Sequence, residues 1–238
     1  MLTRNKPRKP KEPAILNYSA TAPVADNPPA HELVYHALRE MILCGELEPG
    51  QAVTIQGLVG TLGAGMTPVR EAIRRLTAEN ALAFQGNRRV CVPLLTLSQL
   101  DELAFARLAI EPQLAFWAAE RITPGDIDRL DMIDHSLNAA IARGDVRGYL
   151  HANHAFHAHL NAVSGKGIMA ALAETLWLRA GPSLRVMCAR FGTANLPDMH
   201  AGALTALRAG DAGAVRAAIH ADISQGIDQI RLSLRQDG

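Results

Sequence analysis

Residues 149–163 read YLHANHAFHAHLNAV. Asn153 and His157 stand four apart, so on a helix they share one face. Phe156 and Leu160 flank them, which turns that face toward an interior. Two further histidines follow, His200 ahead of AGALTAL and His220 within AVRAAIHADI. Three imidazoles and one amide oxygen, projecting from three helices into one bundle, could hold a divalent transition metal such as Zn²⁺, Ni²⁺ or Mn²⁺. Taken singly, each of these histidines fits a surface or a hydrogen-bonded core position better than a ligand position. His151, His154 and His159 are read as surface. No Glu or Asp stands next to the His157 segment as an evident general base, so the chain is not expected to be an enzyme.

A second stretch, MTPVREAIRRLTAEN at 66–80, carries a different chemistry. Three arginines fall within two helical turns. If Thr67 caps this helix and Pro68 opens it, then Val69, Ile73 and Leu76 face a core while Thr67, Arg70 and Arg74 face out. Arg70 could grip a guanine edge in the major groove of double-stranded DNA. The Thr67 hydroxyl and the helix N-terminal amides suit a phosphate, and Arg74 suits the DNA backbone. Arg88 and Arg89, at the tip of a hairpin, suit a minor-groove or phosphate contact. Arg75 points elsewhere and is expected to pair with Glu71 or Glu79.

The elements that must position these residues can be read from periodicity. From His31, an apolar stripe of Leu33, Val34, Leu38, Met41 and Ile42 predicts a helix that stops at Cys44-Gly45. Thr54 opens a second, short helix that ends near Gly63 and Gly65. After the arginine-bearing third helix come Leu82-Ala83-Phe84 and Val90-Cys91-Val92 around a Gly-Asn turn, the pattern of a β-hairpin. Three helices and a hairpin over residues 31–92 make a winged helix-turn-helix. Beyond Pro93 the pattern is helical in six segments, about 98–122, 125–143, 145–163, 166–191, 198–209 and 211–235, with Pro112 expected to kink the first. The fold class is therefore mainly α, with an all-α bundle over 98–235 as a second domain. Residues 1–29 carry six prolines and five basic residues against two acidic ones, and read as a disordered basic tail.

The totals narrow the classes further. Segment 31–92 holds six basic and six acidic residues, yet its acids cluster early and its arginines late, so the charge is segregated even though the sum is zero. Three cysteines without a CxxC give neither a disulfide framework nor a zinc ribbon. No apolar run approaches the length that spans a bilayer, and the N-terminal stretch has no signal-peptide core. No membrane partner and a cytoplasmic location are expected.

GELEPG at 45–50, TPVREAIRRLTAENAL at 67–82 and NRRVCV at 87–92 together resemble the DNA-binding domain of the GntR family of bacterial transcription regulators. The chain departs from that family's pattern at Gly65-Met66, where Ser-Arg is usual, and at Arg89, where a wing glycine is usual. The bundle resembles the FCD effector domain that follows this module in one branch of the family, in its shorter six-helix variant. The matching positions are Arg107 and Glu111 in RLAIEP, Asn153 and His157 in NHAFH, His200, and His220. The resemblance implies metal ligands at Asn153, His157, His200 and His220, with Asn153 standing where the family usually has Asp. It also implies a small carboxylate effector near the metal, and a homodimer on a two-fold operator. Arg107 then either contacts the effector or pairs with Glu111 one turn on; Arg185 is a second candidate to line the pocket, and Trp177 is either its wall or plain core.

The function expected from these residues is a DNA-binding regulator, by family habit a repressor, controlled through its helical domain. Two alternatives stand beside it: a metal-dependent helical enzyme, and a constitutive DNA-binding protein with an inert bundle.

Overall fold

The computed structural model describes residues 28–85, 89–191 and 199–236. Almost all of the expected basic tail lies outside these residues, as do the hairpin tip and its Arg88. Among the described residues there are nine helices and one three-stranded sheet, so the chain is mainly α.

Helix α1 spans Ala30–Leu43 and buries Val34, Leu38 and Ile42 of its expected stripe, Leu38 and Ile42 fully, whereas Leu33 stays exposed. Burying such side chains contributes about 2 kcal/mol each. Helix α2 spans Ile55–Leu62; the Thr54 hydroxyl accepts the Gly57 N–H at 3.0 Å, and Gly63 ends the helix in the left-handed region at φ 61°. Helix α3 spans Met66–Ala78. Here the structure corrects the expected cap: the chain enters α3 through extended Gly65, so Thr67 lies inside the first turn and makes no capping bond. Pro68 is tolerated there because the first-turn N–H groups have no intrahelical partner.

The wing consists of β1 (Ala52–Val53), β2 (Ala83–Gln85) and β3 (Arg89–Cys91), antiparallel in the order β1-β3-β2. Strands β2 and β3 form the expected hairpin, with Phe84 opposite Val90. Strand β1 was not foreseen: two residues are too few to display a period.

The bundle is built from α4 (Leu97–Ala119), α5 (Pro124–Arg143), α6 (Val146–Val163), α7 (Gly167–Phe191), α8 (Met199–Ala209) and α9 (Ala212–Gln236), each within three residues of its expected bounds. Capping boxes open α4, through Thr96 and Gln99, and α5, through Thr123 and Asp126. Helix α4 runs on through Pro112 without interruption.

The two halves share one continuous apolar core, in which α1 packs against α3 on one side and α7 on the other. Contact with α7 is close because two glycines permit it. A β-carbon on Gly181 would stand 2.7 Å from the Leu43 carbonyl oxygen, and one on Gly45, at φ +64°, would stand 2.2 Å from Arg185 Cβ. Arg39 of α1 bonds Glu174 of α7 at 2.6 Å, and Arg147 of α6 bonds Glu46 at 2.6 Å. Among the described residues no helix is long and apolar enough to cross a membrane.

Candidate DNA-binding face and ligand site

Helix α3 buries Val69, Ala72, Ile73 and Leu76 against the core and leaves Met66, Thr67, Arg70 and Arg74 exposed. The outer face thus carries the residues expected to read and clamp DNA. Arg70 makes no ion pair among the described residues, so its guanidinium is available to a base edge. Arg74 is 74% exposed and pairs with Glu71 at 2.6 Å, which a phosphate would have to displace. Exposed surface pairs of this kind contribute little, so the competition is cheap. Arg89 starts β3 with its side chain exposed, on the same wing as the tip.

Arg75 goes to neither of its expected partners. It reaches across to α1, bonds Glu32 at 2.7 Å and stacks over the Tyr35 ring at 3.8 Å, while the Tyr35 hydroxyl donates to Glu79 at 2.8 Å. A position one residue past Arg74 is rotated about 100° around the helix, and that rotation turns Arg75 onto α1. The third arginine braces α3 against α1.

Inside the bundle, His157 of α6, His200 of α8 and Asp222 of α9 bring one donor atom each to within 4.8 Å of one another. His157 Nε2 lies 3.0 Å from an Asp222 oxygen, and His200 Nε2 lies 3.8 Å from the other. Burial pushes the Asp222 carboxyl upward, but the bond to His157 and the nearby charges of His157, His200 and Arg107 outweigh it and bring the group down to about 2. It is therefore ionised at neutral pH. Two imidazoles and an ionised carboxylate converging from three helices suit a divalent transition metal. Phe156 stacks on the His200 ring at 4.0 Å and holds its plane.

Beside this cluster a small cleft of about 40 Å³ is walled by Tyr149, Trp177, Leu184 and Met187, with Arg107, Asn153, Asp222 and Gln225 as its polar edge. Burial raises the Tyr149 phenol, which stays neutral. Arg107 is buried with Glu111 and bonds it at 2.5 Å, and its guanidinium stacks over Trp177 at 4.2 Å. The Trp177 indole N–H donates to the same Glu111 at 2.9 Å.

Two family models match the chain, bacterial regulatory proteins of the gntR family over residues 30–92 and the FCD domain over residues 102–225. The chain belongs to the GntR family, in its FCD branch. It is 31% identical to the HTH-type transcriptional regulator McbR of Escherichia coli over 165 residues, 69% of this chain and 75% of that protein. It is 25% identical to the HTH-type transcriptional repressor RspR of Escherichia coli over 210 residues, covering 85% and 91% of the two chains. The solved structure of E. coli McbR superposes with a TM-score of 0.80 at 29% identity, covering 89% of this chain and all of that one. The relatives are regulators by name, and this GntR protein is a transcription regulator rather than an enzyme.

Within this GntR/FCD frame, the site residues read from sequence fall into three groups. Asn153, His157 and His200 are buried, and the two histidines join the donor cluster while Asn153 lines the adjoining cleft. Arg107 makes the Glu111 pair and also lines the cleft, so both expectations for it hold at once. His220 and Arg185 do not reach the site. His220 is exposed, and among the described residues its hydrogen bonds outside the helix backbone are to Ser224 of its own helix. The inward stripe of α9 is Val215, Ile219, Ile223, Ile227 and Ile230; Asp222 and His220 flank it on opposite sides, and the Asp222 side is the one that faces His157 and His200. Spacing alone could not have chosen between them. Arg185 packs its alkyl stem on Gly45, at the contact between α7 and the DNA-binding half.

Two histidines read as surface are also corrected. His154 is mostly buried, 3.2 Å from Glu174 and edge-on to Trp177, and His159 lies 3.2 Å from Asp126. His151 is exposed, 3.5 Å from Glu40. Carboxylates do flank His157, since Asp222 and Glu111 reach it from other helices, although none adjoins it in sequence.

Proposed function

We propose that this GntR/FCD protein is a homodimeric repressor acting in the cytoplasm, whose operator affinity is set by a small carboxylate bound in the Trp177 cleft beside a divalent transition metal. The observation that carries this reading is the double attachment of α7. Trp177 walls the cleft and holds Glu111, while Glu174, three residues earlier, holds Arg39 of the DNA-binding half. A ligand that favours one setting of α7 therefore has a route to a different affinity for DNA.

Charge supports an anionic ligand. Two neutral imidazoles and the Asp222 carboxylate leave half of a divalent ion's charge uncompensated, and the Arg107 guanidinium edges the same cleft. Thr67, Arg70, Arg74, Arg88 and Arg89 are the proposed DNA contacts. His157, His200 and Asp222, with Asn153 at hand, are the proposed metal donors. A repressor's role accords with the name of RspR. A two-fold dimer would present paired α3 helices to a palindrome.

The test is selection of genomic fragments on the full-length protein at about 150 mM salt, where non-specific attraction is screened, followed by sequencing. Enrichment of a short palindrome supports the reading. A panel of small mono- and dicarboxylates is then screened for a raised melting midpoint, since a ligand of the folded state must raise it, and for release of the selected DNA. No enriched sequence would sink the regulator as proposed; enrichment without any responsive carboxylate would leave a constitutive DNA binder.

A further inference from the structure

Each of the two imidazoles in the donor cluster has a buried carboxylate behind it. His157 Nδ1 faces Glu111 Oε2 at 3.6 Å, and His200 Nδ1 faces Asp134 Oδ1 at 3.5 Å. The two carboxylates differ in how far they are committed. Glu111 already accepts from Arg107 and from the Trp177 indole. Asp134, 7% exposed on α5, has one oxygen bonded to the Asn138 amide at 3.0 Å, while Oδ1 has no hydrogen-bond partner among the described residues. A buried carboxylate oxygen left in this state is costly, and its placement toward His200 gives it a purpose.

We propose that Asp134 is a positioning residue of the metal site: its Oδ1 accepts the Nδ1 proton of His200 and so leaves His200 Nε2 unprotonated toward His157 and Asp222. The inference rests on the metal reading above and adds a residue to it. A neutral imidazole carries one N–H and one lone pair, and the hydrogen bond made by one nitrogen decides which atom can ligate. Phe156, stacked on the ring, fixes its plane but leaves the choice of nitrogen open. Asp134 makes that choice. It lies on α5, a helix that supplies none of the three donors, so the cluster draws on a fourth helix to orient its ligands.

The experiment measures Zn²⁺ affinity of the full chain by competition with a chromophoric chelator, for wild type, His200→Ala, Asp134→Asn and Asp134→Glu. Orienting partners of metal-bound histidines typically change affinity about 10- to 100-fold, so Asp134→Asn is expected to bind at least about tenfold more weakly. Asp134→Glu should recover part of the loss, and the metal-free urea midpoint of Asp134→Asn should match wild type. In ¹⁵N NMR of the Zn²⁺-loaded wild-type protein, His200, assigned by its absence in His200→Ala, should carry its proton on Nδ1 and the metal on Nε2. This measurement needs no folded Asp134 variant. Unchanged affinity in Asp134→Asn, or metal on Nδ1 of His200, overturns the proposal while leaving the metal site standing. Absence of Zn²⁺ binding by the wild-type protein overturns the metal reading itself, and this proposal with it.

Discussion

Replacing Glu174 by Gln tests the bond between the two halves of the chain, and its size can be worked from the surroundings. Burial alone would raise this carboxyl. His154 at 3.2 Å and Arg39 at 2.6 Å more than reverse that and bring it from its ordinary 4.5 down to about 2. A carboxyl whose folded value lies below its unfolded one stabilises the fold fully above the unfolded value, and that contribution is lost as pH falls from about 5 toward about 2. The fall from 4.5 to about 2, at about 1.4 kcal/mol per pH unit, bounds the contribution near about 3 kcal/mol. The side chain remains 28% exposed, so solvent screening reduces the figure to about 2 kcal/mol. Urea unfolding of wild type and Glu174→Gln near about pH 7 and again near about pH 3 reads this directly. The variant should lose about 2 kcal/mol at the higher pH, and the gap should narrow by about half at the lower one. A gap of equal size at both pH values would refute the reasoning, because the loss would then come from packing and not from charge. Arg39→Ala should show the same narrowing gap and add little to Glu174→Gln in the double variant.

Three further outcomes follow from the same geometry. Gly181→Ala should lower the melting midpoint by the equivalent of about 1–3 kcal/mol, although Ala is the better helix former, because the new β-carbon meets the Leu43 carbonyl; an unchanged midpoint would mean the helices part without cost. Asp222→Asn should lose bound Zn²⁺ while His220→Ala keeps it, as read by metal analysis after desalting; the reverse result would restore His220 as the ligand. Arg70→Ala should weaken binding to the selected operator about tenfold or more, the loss of about 1–3 kcal/mol from one base contact, with an intact melting curve. Arg75→Ala should instead lower the melting midpoint through its lost Glu32 and Tyr35 contacts, and equal effects of the two variants on DNA affinity would contradict the roles assigned here.

Periodicity carried the helices almost to the residue because their boundaries are written locally: Thr54, Thr96 and Thr123 as caps, Gly63 and Gly144 as left-handed ends. Thr67 misled for the same local reason, since a good cap residue stood two positions inside a helix that Gly65 begins. The site was legible in part. Asn153 and His157 sit beside Phe156 and Leu160, so their inward face follows from spacing. His220 was chosen for its chemistry; the stripe of α9 places His220 and Asp222 equally far to either side, and a carboxylate among so many surface acids gives no signal of its own. What no local pattern could show is the partner across space: Arg75 with Tyr35, His154 with Glu174, Arg185 with Gly45. These contacts join segments far apart in the chain, and burial at both ends creates them.

That last group shares a location. Three of the side chains the sequence misplaced or left undecided, His154, Arg185 and Trp177, gather along α7 or against it, where the bundle meets α1. A helix serving only to fill the bundle would meet α1 through apolar atoms alone, and its polar residues would face water. Helix α7 instead spends Glu174 on a mostly buried bond to Arg39 and brings two glycine-permitted contacts, one to backbone and one through the Arg185 stem, to the end of α1, which itself backs α3. Rigid-body motion of the DNA-binding half about a loose linker would break these bonds, so on the proposed reading the two settings of the protein differ by a displacement within this packed contact. Coupling of that kind is reciprocal: operator DNA must then change affinity in the Trp177 cleft by the same factor that the ligand changes affinity for DNA. Weakening the Arg39–Glu174 bond should reduce both factors together. Loss of one without the other would place the coupling elsewhere than α7.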